Sequence, residues 1–247
     1  MNIWAIALAP LIGIMLALFG AGGGMLTVPL LTYGLGFPLK QAIAASLWIV
    51  AVVSLVALFR QRAWHGLNLR MLAAFSVGGM AGSMAGAHLG MRMSDTLQGA
   101  IFGSLVLFVA WWMRRPKRTV EGDSRTVCRC LLTLLTGIAL GITTGVLGVG
   151  GGFLMVPALI WLGISNYKTA VAHSLVLIII NAVTAGLSYA SGMHLSLMPV
   201  ILIAGFASLG SLAGGTLLAR YSPEHLQSAF SMILLVIGVF MLSKAII

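Results

Sequence analysis

Residues 20–47 read GAGGGMLTVPLLTYGLGFPLKQAIAASL, and residues 148–175 read GVGGGFLMVPALIWLGISNYKTAVAHSL. The second stretch is the first shifted by 128 positions, and 13 of the 28 positions are identical. Each opens with five residues of which four are glycine, a run that cannot hold a helix against its backbone entropy. Each then carries a short apolar piece, about 25–35 and 153–163, interrupted by Pro29 or Pro157. Proline lacks an amide donor and loosens a helix further.

The surroundings of these two stretches set the class of protein. The chain has 247 residues, 60% hydrophobic and 7% charged. Average soluble domains are roughly 45–50% apolar and about 25% charged. A soluble enzyme, a disordered chain and a coiled coil are therefore excluded. Long unalternating apolar runs also exclude a membrane barrel, whose strands alternate over about 10 residues. What remains is an all-α polytopic membrane protein, because in lipid the backbone must satisfy itself within helices. About 20 apolar residues span a bilayer. Eight such helices are expected, near 3–19, 38–59, 68–91, 95–113, 128–147, 166–190, 196–219 and 224–246. The two pieces after the glycine runs are too short, and re-entry is the favoured reading for them. If they cross instead, the parity of each half changes.

The echo extends beyond the quoted stretches. Gly82, Ser83, Gly86, Arg92 and Ser94 match Gly210, Ser211, Gly214, Arg220 and Ser222. The chain thus divides into two homologous repeats, 1–113 and 128–247, joined by a basic linker at 114–127. Repeated halves with a substrate between them are a mark of secondary transporters.

The net charge of +10 does not imply nucleic acid. Six of the fourteen basic residues fall between Arg114 and Arg129, where the positive-inside rule places a cytoplasmic loop. With eight spans, both termini then lie in the cytoplasm and the protein sits in the inner membrane. Ten basic residues fall inside and four outside: Lys40, Arg92, Lys168 and Arg220. The outer four form two repeat-related pairs. They suggest an electropositive vestibule, or local pairing of Arg92 with Asp95 and of Arg220 with Glu224. Cys128 and Cys130 have no partners with metal-ligand spacing, so no metal and no cofactor is expected.

The candidate substrate site is the pair of broken helices. Gly22, Gly23, Gly24 and Thr27 in one repeat, and Gly150, Gly151 and Gly152 in the other, would present uncapped amides at helix N-termini, which attract anions. The runs are not nucleotide loops, since no Gly-Lys-Ser/Thr follows them. Lys40 and Lys168 would steer an anion inward. Ser46, Ser174 and Asn181 would complete its hydrogen bonds, as polar residues in lipid are functional candidates. His173 is the candidate for a coupled proton. No carboxylate lies deep in any span. Glycines at every fourth position, such as Gly78, Gly82, Gly86 and Gly90, read instead as packing seams, which would also suit a homodimer.

The doubled G-x-G-G-G-x-x-x-V-P-x-L, each followed by Lys-x-x-x-A-x-S-L, resembles the TauE/SafE family of membrane permeases. The pattern G-S-x-x-G-x-x-L-x-x-R-x-S at 82–94 and 210–222 fits as well. The resemblance covers nearly the whole chain. It implies a gradient-driven exporter of sulfite or an organosulfonate. His173 faces Ala45 in the other repeat, so the site is expected to be asymmetric. An anion channel is the alternative in the same class. An intramembrane enzyme is disfavoured, because His173 and Ser174 are helix neighbours and point about 100° apart.

Overall fold

The computed structural model describes residues 3–19, 23–60, 68–113, 130–149, 152–164, 167–190, 197–217 and 223–246. Within these, only the helical backbone is described for 3–7, 17–19, 23, 113, 152–153, 167–168, 197, 213–217, 223–230 and 245–246, which include Gly23, Gly152 and Lys168. The described chain is helical, without strands. Its helices are α1 (Ile3–Phe19), α2 (Gly23–Pro29), α3 (Leu39–Arg60), α4 (Leu69–Arg92), α5 (Asp95–Met113), α6 (Cys130–Leu147), α7 (Gly152–Trp161), α8 (Tyr167–Ala190), α9 (Leu197–Leu217) and α10 (Pro223–Ile246). The eight long helices lie within about two residues of their expected bounds. Among the described residues, four segments are long and apolar enough to cross a membrane: Leu39–Arg60, Asp95–Trp112, Cys130–Leu147 and Thr169–Ala190.

The glycines explain the packing. Glycine costs a helix roughly 1 kcal/mol relative to alanine, so a helix this rich in it needs a compensating contact. Gly78, Gly82 and Gly86 of α4 lie against Gly137, Gly141 and Gly145 of α6. A Cβ on Gly82 would stand 2.2 Å from the Ile138 carbonyl oxygen, and one on Gly141 would stand 2.4 Å from that of Gly79. The two backbones touch, which is how small-residue seams hold helices together in lipid. Sequence numbers rise together along the seam, so α4 and α6 run parallel. The same contact recurs 128 positions away. Gly210 faces the Pro10 carbonyl as Gly82 faces Ile138, and Gly13 faces Ala207 and Ser211 as Gly141 faces Gly79 and Ser83. By the same register, α1 runs parallel to α9.

Side-chain ties fix the remaining directions. Lys40, at the start of α3, donates to the Met91 carbonyl at the end of α4 (3.0 Å) and lies 3.7 Å from Asp95, at the start of α5. Gln98 donates to the Val146 carbonyl at the end of α6. Tyr189, at the end of α8, donates to the Gly145 carbonyl (3.1 Å). All of these share one face, here the Lys40 face. At the opposite, linker face, the Asn68 amide at the start of α4 donates to His173 near the start of α8 (2.9 Å). Helices α3 and α8 are equivalent by sequence, yet they run in opposite directions. Gly103 packs on Leu242, and Gly238 on Leu107, so α10 runs antiparallel to α5 and ends on the Lys40 face.

These directions correct the expectation of re-entry. Helix α6 ends toward the Lys40 face, and α8 begins at the linker face. The ten residues of α7 therefore carry the chain onward instead of returning it. At about 1.5 Å per residue they cover about 15 Å, and Leu162–Ile164 continue from their end. Exposed aromatic residues mark the same boundary: Trp111 and Trp112 at the end of α5 and Trp161 at the end of α7 all lie toward the linker face. Tryptophan favours the membrane–water boundary. Between the faces, Val77, Met84, Leu135, Ile201, Leu209 and Val236 are exposed, the dress of a lipid-facing surface.

Candidate functional site

The site is built where the glycine runs stop two helices. Thr144, in the last turn of α6, offers its carbonyl to the Gly148 amide (2.9 Å), and Gly148 turns the chain with φ +68°. That left-handed cap suits glycine and terminates the helix. It is also crowded: a Cβ there would meet the Ile43 carbonyl and the Ser46 hydroxyl, both at 2.9 Å. Ser46 is fully buried on α3 and donates to the Gly148 carbonyl at 2.7 Å, sharing its proton with the Ile43 carbonyl at 2.7 Å. A serine of the first half thus holds the carbonyl that opens the break of the second half.

The two breaks then meet. A Cβ on Gly24 would stand 2.0 Å from the Val149 carbonyl oxygen and 2.9 Å from its Cα. Gly24 is the second residue of α2, and Val149 sits inside the second run, so the start of α2 lies in direct contact with the irregular backbone that follows α6. Backbone of this kind is tolerated in a membrane only inside protein or along a wet path. Helix α2 is also short of an amide at Pro29, and its winding widens to a π-helix over Leu30–Gly34. Single π turns often accompany functional sites.

The other candidates divide. Thr27 and Ser174 are fully buried, and Ser174 donates to the Val171 carbonyl at 2.8 Å. Asn181 is fully buried on α8, against Gly79 of α4. Gly22, Gly150 and Gly151 lie outside the described residues. Gly23 and Gly152 are the first residues of α2 and α7, and Lys168 is the second of α8. The Lys40 ammonium is engaged at the α4 C-terminus, where a helix end favours a cation. Asp95 pairs with this lysine in place of the expected Arg92.

His173 is held at both ring nitrogens. Nε2 accepts from the Asn68 amide, so Nδ1 carries the proton and donates to the Thr169 carbonyl at 2.8 Å. The ring caps the start of α4 across the boundary between the halves. Replacing His173 by Ala leaves the Asn68 amide unpaired. We expect a stability loss of roughly 1–2 kcal/mol, read as a lower melting temperature of the purified protein. An unchanged melting curve would show that the cap is dispensable.

Three participants escape a reading of motifs. Gln98 and Tyr189 meet at the C-terminal end of α6, on the Lys40 face. Gly79 stands beside the four-residue seam, and the doublet Gly78-Gly79 is its only signal in the sequence. One glycine serves α6 and the next makes room for Asn181.

Comparison with known proteins accords with this architecture. The family model described as sulfite exporter TauE/SafE matches residues 5–241. A probable membrane transporter protein of Xylella fastidiosa (strain Temecula1) is 28% identical over 244 residues, covering 95% of this chain and 92% of its own. Another, from Methanocaldococcus jannaschii, is 26% identical over 249 residues, with 94% and 92% covered. The probable membrane transporter protein YdhB of Bacillus subtilis is 30% identical over 186 residues, with 72% and 75% covered. No solved structure matches the chain. Helices that suit lipid, glycine breaks in mid-chain and a family match over nearly the whole length converge: the chain belongs to the TauE/SafE sulfite exporter family and is a membrane transporter, not an enzyme.

Proposed function

We propose that this chain is a secondary transporter that exports a small anion, with sulfite or an organosulfonate as the leading substrate. The observation that carries the reading is the contact of Gly24 with the Val149 carbonyl, which brings the start of α2 in one half against the glycine run of the other. Charge favours an anion there. The chain has four acidic residues, Asp95, Glu121, Asp123 and Glu224; Asp95 and Glu224 stand in the first turns of α5 and α10, and the other two belong to the basic linker by sequence, outside the described residues. The N-terminal amides of α7 therefore meet no acidic competitor in the low-dielectric interior. The name of the matching family supports a sulfur oxyanion, and the chain has no nucleotide-binding motif to drive primary transport.

Helix directions suggest a membrane orientation. With the 114–127 linker in the cytoplasm, the ends of the described helices put Arg60, Arg70 and Lys168 on the linker face, and chain order assigns Arg62, Arg114, Arg115, Lys117, Arg118, Arg125, Arg129 and Arg220, in the connecting segments, to the same side of the membrane. Only Lys40, Arg92 and Lys244 remain for the Lys40 face. Eleven against three satisfies the positive-inside rule better than the ten against four of the eight-span reading. The start of α1 and the end of α10 then face outward, the reverse of the cytoplasmic termini expected from sequence. The helices of the two repeats run oppositely, as in transporters that rock one half against the other around a central site. His173 would take up a coupled proton by releasing the Asn68 amide, which links protonation to opening of the linker face.

The test is anion flux in proteoliposomes loaded in parallel with sulfite, sulfoacetate, sulfate or chloride, with and without a proton gradient. Saturable, gradient-driven flux of sulfite or sulfoacetate is expected. Unsaturable flux indicates a channel. Folded protein that carries none of the four anions overturns the anion reading.

A further inference from the structure

The Asn181 carboxamide is fully buried, and among the described residues neither its Oδ1 nor its Nδ2 has a hydrogen-bond partner. Few buried polar groups in native proteins are left so, and each calls for an explanation. The amide occupies the space that Gly79 leaves empty: a Cβ at Gly79 would stand 2.4 Å from Oδ1 and 2.9 Å from Nδ2. The Gly79 backbone lies in the seam with α6, against Gly137 and Gly141, but its own α-carbon faces α8. Three residues before it, on the same side of α4, the Ser76 hydroxyl is also buried and unpartnered. The seam between α4 and α8 is tied at its ends, by Asn68 with His173 at one face and by Tyr189 with the end of α6 at the other.

The chain contains a control for this seam. Its counterpart by sequence is the seam between α3 and α9, shifted by 128. There Asn181 is replaced by Val53, Gly79 by Ala207, Ser76 by Ala204 and His173 by Ala45. Valine and alanine fill these places, with Val53 and Ala207 fully buried. Helices α3 and α9 hold buried unpartnered hydroxyls of their own, on Ser54 and Ser208, but at the place of Asn181 packing does not require a carboxamide, and that group needs another reason.

We propose that the transported oxyanion is bound off the axis between the halves, in the α4–α8 seam, with the Asn181 amide as its principal donor. The proposal rests on the anion reading above and narrows it to one seam. The two Nδ2 hydrogens and the Ser76 hydroxyl donate to the anion's oxygens, while Oδ1 accepts from a ligand hydroxyl or from water that enters with it. Gly79 is the specificity residue, since it sets how far the amide reaches toward α4. An uncharged donor suits release as well as capture, because it binds without the grip of a buried cation.

The test compares wild type with Asn181→Leu, Asn181→Asp and Gly79→Ala, purified and reconstituted, with sulfite and sulfoacetate as probes. Thermal unfolding of each protein is followed without and with sulfite. Asn181→Leu is expected to melt no lower than wild type, because it removes an unpartnered polar group, while its KM for the transported anion rises about tenfold or more. Asn181→Asp keeps the shape but loses the donors and adds a like charge, so flux is lost in folded protein and sulfite no longer raises the melting temperature. Gly79→Ala pushes the amide aside and raises KM in the same direction. Wild-type KM in Asn181→Leu overturns the proposal. So does a variant that melts several degrees lower, or fails to fold, with Gly79→Ala keeping wild-type KM; Asn181 is then a packing residue. A wild type without anion flux defeats the underlying transport reading before any variant is compared.

Discussion

Replacing Gly24 by Leu abolishes transport while leaving a folded protein. The expected loss is at least about 100-fold in initial flux, on the order of 3 kcal/mol in the barrier. The reason is steric. Even a methyl group at Gly24 would lie 2.0 Å from the Val149 carbonyl oxygen, well inside van der Waals contact, so a leucine must part the two breaks. The damage is confined because α2 is short and the long helices are held elsewhere. Size-exclusion profiles and melting curves should stay close to wild type. The contrast is Gly82→Leu, whose Cβ would meet the Ile138 carbonyl at 2.2 Å in the middle of the α4–α6 seam. That seam joins the halves along its length, so this variant is expected to be lost from the membrane fraction. If Gly24→Leu transports normally, the contact of the breaks is not on the path.

The second large effect concerns orientation, and it is all or none. In a background with Cys128→Ser and Cys130→Ser, a Ser243→Cys variant should react with a membrane-impermeant maleimide in intact spheroplasts. A Ser124→Cys variant in the linker should react only after lysis. Ser243 is exposed near the end of α10, and the packing of α10 on α5 puts that end on the Lys40 face. Labelling of Ser243→Cys only after lysis would restore cytoplasmic termini and return α7 to a re-entrant path. The two topologies place the same thiol on opposite sides of the bilayer.

Local chemistry in the chain specifies a great deal. Apolar runs about as long as a bilayer is thick can only be helices, because lipid offers the backbone no other partner. Gly20–Gly24 and Gly148–Gly152 read as breaks, because four glycines in five residues do not propagate a helix, and the ends of both runs open new helices, α2 and α7. The 128-residue echo and the basic linker are likewise plain from composition and spacing. So are Ser46, Asn181 and His173 as residues needing a reason, since polar groups in lipid are costly.

The direction of the halves is not local. It depends on whether a ten-residue apolar piece turns back or goes on, and its length allows either. The answer lies in contacts such as Asn68 with His173 and Lys40 with Met91, which join residues 105 and 51 positions apart. The same holds for the site. Lys40, read as a steering charge, serves the end of α4, and Gly79, outside every motif read from the sequence, makes room for Asn181. Hydropathy and periodicity record what each segment is made of. Which segment meets which is set by close approach of backbones and by the need of buried polar groups for partners, and those are properties of the assembled bundle.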